Sequence, residues 1–355
     1  MNPPAARDPA PAASARAGLV PAPPTRGVTI AGTGMAIPSG RLSNHDLEKL
    51  MDTSDEWIVQ RTGIRNRNIC DTSKGQGTIS LACDALRAAC NDARVEPSAL
   101  DLVILATMTA ESTCPASACR VAAHIGAVGA GAFDLSAACS GFVFGLNTAY
   151  ALIRGGAYRT IGLIGADTLS RFMDYSNAGR STAVLFGDGA GAAVLRATDD
   201  PTQGVIAQAM HADGARWADL YVPFDERGFP PGVEPAPDMV DHVHMNGLAI
   251  FKFAVGTFPD VIAQTLDKAG LHPSDVDMYV CHQSNARIID AARKRFGLPE
   301  HKLYVNIERF ANTVAASVPL CLHELREAGR VAPGMKVMFV GFGGGLTWGT
   351  SLWQL

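Results

Sequence analysis

Several things that common protein classes need are missing from this sequence. Its eight cysteines, at positions 70, 83, 90, 114, 119, 139, 281 and 321, form no CxxC pair and no Cys/His group at the spacing of a zinc site. Neither a structural metal nor a disulfide framework is expected. Positive charge is not in excess: 30 Lys and Arg face 34 Asp and Glu, a net charge of -4, which argues against a nucleic-acid binder that neutralises many phosphates. No segment matches GxxxxGK[ST]. "GTGMAIPSG" from Gly32 puts a proline where a dinucleotide-binding helix would begin, and "GDGAGAAVL" from Gly187 runs into a strand-like segment. The opening "MNPPAARDPAPAASARAGLVPAPPTRG" has no apolar core of a signal peptide, and its prolines would break an amphipathic transit helix. Residues 1–26 are therefore expected to be a disordered tail, and the compartment cytoplasmic.

Long apolar runs are also scarce. No charged residue occurs between Asp134 and Arg154, but Ser136, Ser140, Gly141, Asn147 and Thr148 make this stretch too polar for lipid, so it predicts a helix inside a protein core rather than a membrane span. Hydrophobic content is 47%, ample for a large core in 355 residues. Two stretches read alike, "ALRAACNDARVEPSALDLVILAT" from Ala85 and "VIAQTLDKAGLHPSDVDMYVCHQ" from Val261, about half the chain apart. They predict two structurally similar halves, 27–200 and 201–355. Strands are expected at 28–31, 102–106, 160–165, 183–186, 192–195, 278–281 and 337–340. Helices are expected at 44–51, 54–62, 79–93, 140–154, 250–269, 286–296 and 317–328, giving α/β layers with strands covered on both faces.

Four segments hold the residues able to do chemistry. In "DLSAACSGFVFGL", Cys139 precedes apolar residues at helical spacing (Phe142, Val143, Leu146, Ala149, Tyr150, Ile153), so a helix starting at Ser140 would point its free N–H groups at the thiol and lower its pKa. The small neighbours Ala137, Ala138, Ser140 and Gly141 would let a substrate carbonyl approach the backbone. In "YVCHQSNARII", His282 ends a strand-like run, where α/β sheets place catalytic groups. In "RFANTVAASVPLCL", Asn312 precedes small residues and a helix. In "VMFVGFGGGLTWGTSLW", a strand meets Gly341 and Gly343–Gly345, which mark a strained turn or the close approach of a ligand.

In this order, and together with "TSDEWIVQRTGIRNRNI" and "FGDGAGAAVL", these segments resemble β-ketoacyl-ACP synthase III, the initiating ketosynthase of the thiolase superfamily, over nearly all of 27–355. The resemblance implies a thiolase-like five-layer αβαβα sandwich built from two similar halves. It implies Cys139 as nucleophile with His282 and Asn312 as catalytic partners, and an oxyanion hole from the N–H groups of Cys139 and Gly344. The reaction implied takes an acyl group from acyl-CoA onto Cys139, then condenses it with malonyl-ACP, with loss of CO2, to a 3-oxoacyl-ACP. No cofactor or metal is implied, and the form is a homodimer. Trp57 and Arg171 are implied to sandwich the CoA adenine, with Arg61 also on CoA and Phe251 and Asn285 lining the pantetheine tunnel. Lys252, Arg287, Arg293, Lys294 and Arg295 would receive the acidic carrier protein.

Some positions depart from the family pattern. Cys114 stands where a phenylalanine closes the acyl pocket in short-chain members, which implies room for a longer or branched acyl group. "DYSNAGRS" from Asp174 replaces an Asp-Arg-Gly segment, Ala311 and Val314 flank Asn312 where glycine and serine are common, and Cys281 replaces a proline. These leave open a ketosynthase of secondary metabolism that primes a polyketide or quinolone, or an acyltransferase to an oxygen or nitrogen nucleophile. A thiolase or HMG-CoA synthase would need a second cysteine or a glutamate in the site; no motif places Cys281 or Cys321 in that role, although Cys281 adjoins His282. A non-catalytic partner subunit would not be expected to keep Cys139.

Overall fold

The structure is a computed structural model that describes residues 26–355, so the expected tail lies outside the described residues but for Arg26. The strands are β1 (Gly27–Ala36), β2 (Gly40–Ser43), β3 (Asn66–Ile69), β4 (Leu102–Ala106), β5 (Gly131–Leu135), β6 (Thr160–Asp167), β7 (Gly189–Thr198), β8 (Gly204–Ala212), β9 (Leu220–Tyr221), β10 (His244–Met245), β11 (Met278–Cys281), β12 (Lys336–Gly343) and β13 (Thr347–Gln354). The helices are α1 (Asn44–Leu47), α2 (Asp55–Thr62), α3 (Thr78–Ala93), α4 (Ser117–Ile125), α5 (Gly141–Arg154), α6 (Arg180–Ala183), α7 (Gly247–Ala269), α8 (Ala286–Arg295), α9 (Ile307–Phe310) and α10 (Ser317–Glu327).

Two sheets carry the molecule. The first runs β1-β7-β6-β4-β5 and the second β8-β13-β12-β11. Matched from the β1 and β8 ends, each begins with two antiparallel pairings and then turns parallel, at β6/β4 and at β12/β11. Where the first sheet adds β5, the second has only the single parallel bridge of Tyr279 with Leu303. Helices α5 and α10 lie between the sheets, and their apolar residues join both sheets in one cluster that includes Ile104, Phe142, Leu146, Leu322, Phe339 and Trp353. A helix largely buried between two sheets cannot carry charge on its core faces, which accounts for the uncharged stretch before Arg154. Helices α3 and α4 cover the outer face of the first sheet, and α7 and α8 that of the second. The result is the five-layer αβαβα sandwich expected. Among the described residues, no helix is long and apolar enough to cross a membrane.

Residues 183–186 are not a strand. Arg180–Ala183 is a helical turn, and Phe186 makes one isolated bridge to Asn312. The apolar run there arises because Ala183, Val184 and Phe186 pack in the cluster that surrounds Cys139. The expected helix at 44–51 stops at Leu47. Helices α4, α6 and α9 and strands β2, β3, β5, β8, β9, β10 and β13 were not expected; Gly131–Leu135 has no β-branched residue, and Ser117–Ile125 has no side chain capping its N-terminus.

Candidate active site

After β5 the chain passes through a tight turn, Ala138–Ser140, directly into α5. Ala138 has φ +44°, a region costly for a residue with a Cβ, so the surroundings must impose it. They do so from the far half: Ser140 Oγ donates to the Thr347 carbonyl at 3.1 Å, and Thr347 Oγ1 donates to the Ala137 carbonyl at 3.1 Å. Gly343, at the end of β12, lies so near that a Cβ there would sit 2.7 Å from Cys139 Cβ and 3.0 Å from Sγ. The glycine run thus serves close approach, but to the Cys139 turn itself.

A second turn, Val314–Ala316, enters α10 as the first enters α5, and Val314 has φ +51°. Asn312 stands at its start. Its Oδ1 accepts the Val314 N–H at 2.9 Å, which leaves the amide N–H groups for other partners. His282 follows β11 at once; its N–H donates to the Val340 carbonyl at 2.8 Å, its ring meets Phe342 edge-on at 5.3 Å, and its Nδ1 lies 2.7 Å from Ser317 Oγ. Cys139, His282 and Asn312 all line one cavity of about 100 Å³, with Phe251, Asn285 and Gly343. Cys139 also lines a second cavity of about 330 Å³, walled by Met108, Leu169, Phe172, Val243 and Val314. Leu220, on the short ribbon of β9 and β10, borders both.

The electrostatics correct one expectation. Burial, with a smaller push from Asp167, raises the Cys139 thiol to about 12 instead of lowering it. Desolvation outweighs the helix start. Two groups act the other way, the N–H groups of Cys139 and Gly344, which both reach the sulfur. Burial also depresses His282 to about 3, so at neutral pH a thiol faces an uncharged imidazole. Asp167 is raised by burial to about 6 while accepting from Thr107, Thr109 and the N–H groups of Met108 and Ala315. It ties the Asn312 turn to the end of β6.

These shifts set a pH dependence. His282 binds its proton in the unfolded chain near 6.5 but only near 3 when folded, so its contribution to stability is full above pH 6.5 and is lost as pH falls toward 3. Asp167, raised from 3.8 to about 6, has the opposite sign between those values. A comparison with His282→Gln isolates the first. Equilibrium urea unfolding between pH 6 and 4 should show the parent losing up to about 1.4 kcal/mol per pH unit more than the variant. Parallel curves would rule out a buried neutral His282.

Around the mouth, the structure redistributes the expected CoA contacts. Trp57, on α2, carries Arg61 over its ring at 4.5 Å and Arg180 at 5.1 Å. Arg171 is elsewhere: it donates to the Thr109 and Ala110 carbonyls and covers Phe172 at 4.7 Å. The expected Trp57/Arg171 pair is therefore not formed, because Arg171 is spent on the loop after β4. Arg180 was missed, although it is the one arginine between Arg171 and "FGDGAGAAVL" and sits in the divergent "DYSNAGRS" segment. Asn285 caps α8 and donates to the Arg61 carbonyl at 2.9 Å, and Arg287 lies 5.3 Å from the Phe251 ring. The basic patch divides. Arg293 and Lys294 pair with Asp290, and Arg295 with Asp260, whereas Lys252 and Arg287 have no ion pair among the described residues. Cys114 is exposed and lines neither cavity of its own chain, so any part it has in an acyl pocket is not within one protomer. Cys281 packs into the core under α7 and α8, where burial pushes its thiol up, and it is not among the residues lining the Cys139 cavities.

Two α/β sheets around paired buried helices, with cysteine, histidine and asparagine meeting where strands end, define a condensing enzyme of the thiolase fold. Residues 133–214 match the family described as 3-oxoacyl-[acyl-carrier-protein] synthase III, and residues 266–355 its C-terminal part. The chain is 43% identical over 323 residues to the β-ketoacyl-[acyl-carrier-protein] synthase III of Caldanaerobacter subterraneus subsp. tengcongensis, covering 91% of this chain and 96% of that one. It superposes on the crystal structure of the synthase III from Aquifex aeolicus with a TM-score of 0.85 at 40% identity, covering 93% of this chain and 100% of that one. The priming β-ketosynthase of the R1128 polyketide biosynthetic pathway gives a TM-score of 0.85 at 33% identity, over 93% and 97% of the two chains. The chain belongs to the β-ketoacyl-[acyl-carrier-protein] synthase III family of acyltransferases.

Proposed function

We propose that this enzyme moves an acyl group from acyl-CoA to Cys139 and condenses it with malonyl-ACP, and that it selects an acyl group longer or bulkier than acetyl. The observation that carries the reading is that Cys139 lies between two cavities, the smaller holding His282 and Asn312 and the larger walled mainly by apolar side chains such as Met108, Leu169, Phe172 and Val243. Adenine stacks at Trp57 with Arg180, and pantetheine passes Phe251 and Asn285 to the sulfur. Cys139 attacks the thioester, the N–H groups of Cys139 and Gly344 hold the oxyanion, and the thiol proton leaves on CoA. Malonyl-ACP then enters by the same mouth. Loss of CO2 leaves an enolate whose oxygen takes hydrogen bonds from His282 and Asn312, and its carbon attacks the acyl group. The scheme calls on no metal or redox cofactor.

The acidic carrier protein meets Lys252 and Arg287, the unpaired members of the patch, more than Arg293, Lys294 and Arg295. A homodimer fits β5, an edge strand that exposes Phe133 and carries neither lysine nor proline to protect its free backbone groups. In such a dimer Cys114 would border the partner's cavity. The shared strand order and the two strained turns support a chain of two similar halves, 27–200 and 201–355. A cytoplasmic location fits a supply of acyl-CoA and carrier protein.

The larger cavity argues for the acyl size. About 150 Å³ accepts benzene in a protein core, and this chamber has about 330 Å³. Acetyl would leave most of it unfilled, whereas each added methylene gains about 0.8 kcal/mol of burial, roughly fourfold in affinity, until the space is full. This favours a specialised starter over acetyl. A panel from acetyl- to decanoyl-CoA, with branched and aromatic members, should show kcat/KM for acylation peaking well beyond acetyl. Val243→Phe, which fills the chamber, should move the peak to shorter chains. A peak at acetyl, unmoved by the variant, would contradict the size assignment.

A further inference from the structure

We propose that Ser317 is a positioning residue whose hydroxyl donates to His282 Nδ1, fixing the imidazole as a permanent Nε2–H donor that does not act as a base. The inference rests on His282 being an enolate donor, as set out above.

Three groups compete around Ser317 Oγ. Nδ1 of His282 is 2.7 Å away, the Gln283 N–H donates to it at 3.3 Å, and the Val314 carbonyl lies at 3.1 Å. Gln283 can only donate, so it takes an oxygen lone pair. The Val314 carbonyl can only accept, and it already receives the Ser317 N–H across the turn. It does not need the hydroxyl proton. Nδ1 is the nearest partner, 2.7 Å away against 3.1 Å for the Val314 carbonyl, and the shorter contact takes the hydroxyl proton. In a neutral imidazole the remaining proton must then sit on Nε2. The ring is 1% exposed and shielded by Phe342, so charging it is disfavoured as well.

This arrangement has consequences for each half-reaction. In the first, the bond from Sγ to the acyl carbon forms, the bond from that carbon to the CoA sulfur breaks, and the Sγ proton ends on CoA; His282 only donates toward the sulfur. In the second, the malonyl C–CO2 bond breaks, its electron pair passes through the enolate into the new C–C bond, and the Cys139 thioester bond breaks. One proton from water restores the thiol. Nε2–H holds the enolate oxygen throughout and returns unchanged, so the second half-reaction depends on the tautomer far more than the first.

Ser317→Ala should slow condensation by about 10- to 100-fold, as loss of a group that orients a histidine does elsewhere, while acylation of Cys139 by acyl-CoA changes by less than about threefold. Ser317→Thr, which keeps the hydroxyl, should recover most of the rate. Nitrogen-15 NMR of His282 in the parent enzyme should show protonated Nε2 and a hydrogen-bonded, unprotonated Nδ1, with that signature lost in Ser317→Ala. Protonated Nδ1 in the parent, or an Ala variant with unchanged condensation, would overturn the proposal. His282→Ala separates the two levels: if it still condenses, the donor reading itself fails, and if it does not while Ser317→Ala does, only the role of Ser317 fails.

Discussion

Gly343→Ala should reduce acylation of Cys139 by at least about 100-fold in a protein that remains folded. The added Cβ would stand 2.7 Å from Cys139 Cβ and 3.0 Å from both its N and Sγ, and neither Cβ nor N can turn aside by a side-chain rotation. Gly343 cannot retreat, because β12 pairs with β13 through Gly343 and Thr347. The Cys139 turn must move, and it is held by Ser140 and Thr347 in a conformation already strained at Ala138. A displacement of about 1 Å at a reacting centre costs about 10²-fold. Gly344→Ala is the contrast, since its Cβ would meet nothing nearer than 3.5 Å and its N–H would be kept. Acyl loading of the two variants by mass, beside circular dichroism, checks this. Equal loading would mean that the tight contact at Gly343 has no bearing on catalysis.

Asn312→Asp should reduce condensation by about 10²- to 10³-fold, the usual cost of one missing donor to an oxyanion, with acylation of Cys139 largely kept. Aspartate keeps an oxygen to accept the Val314 N–H, which Asn312 Oδ1 accepts at 2.9 Å, so the turn should survive. What it removes is the amide donor, and it puts a second acceptor where the enolate oxygen forms. Asn312→Ala is less informative by itself, because it strands a buried N–H at a cost of about 1–3 kcal/mol. Release of CO2 from a malonyl thioester by each variant reads the effect. Full decarboxylation by Asn312→Asp would remove Asn312 from the enolate site.

Much of this was legible in residue patterns, and the gaps have physical causes. Helix α5 could be placed because its apolar residues from Phe142 to Ile153 recur at helical spacing. Cys139 and Asn312 could be singled out because each precedes small residues and a helix, and His282 because it ends a strand-like run. The thiol pKa could not be read, since it depends on desolvation by Gly343, Phe186 and Leu220, which come from distant segments. The Trp57 partner was misplaced for a similar reason: Arg171 and Arg180 differ only in which carbonyls lie near them after folding. The role of Ser317 was invisible because its contact with Nδ1 joins residues 35 apart in sequence. The larger cavity emerges only when the β9/β10 ribbon closes over the Cys139 turn.

The central claim is that Cys139 carries the acyl group between the two half-reactions. The direct measurement is a single turnover: load the enzyme with an acyl-CoA, remove CoA, confirm the adduct by intact mass, add malonyl-ACP, and follow adduct, CO2 and product together. The adduct should map to Cys139, be absent from Cys139→Ala, and disappear one-for-one as CO2 and 3-oxoacyl-ACP form. An adduct that persists after malonyl-ACP is added, or product formed by Cys139→Ala, would contradict the account.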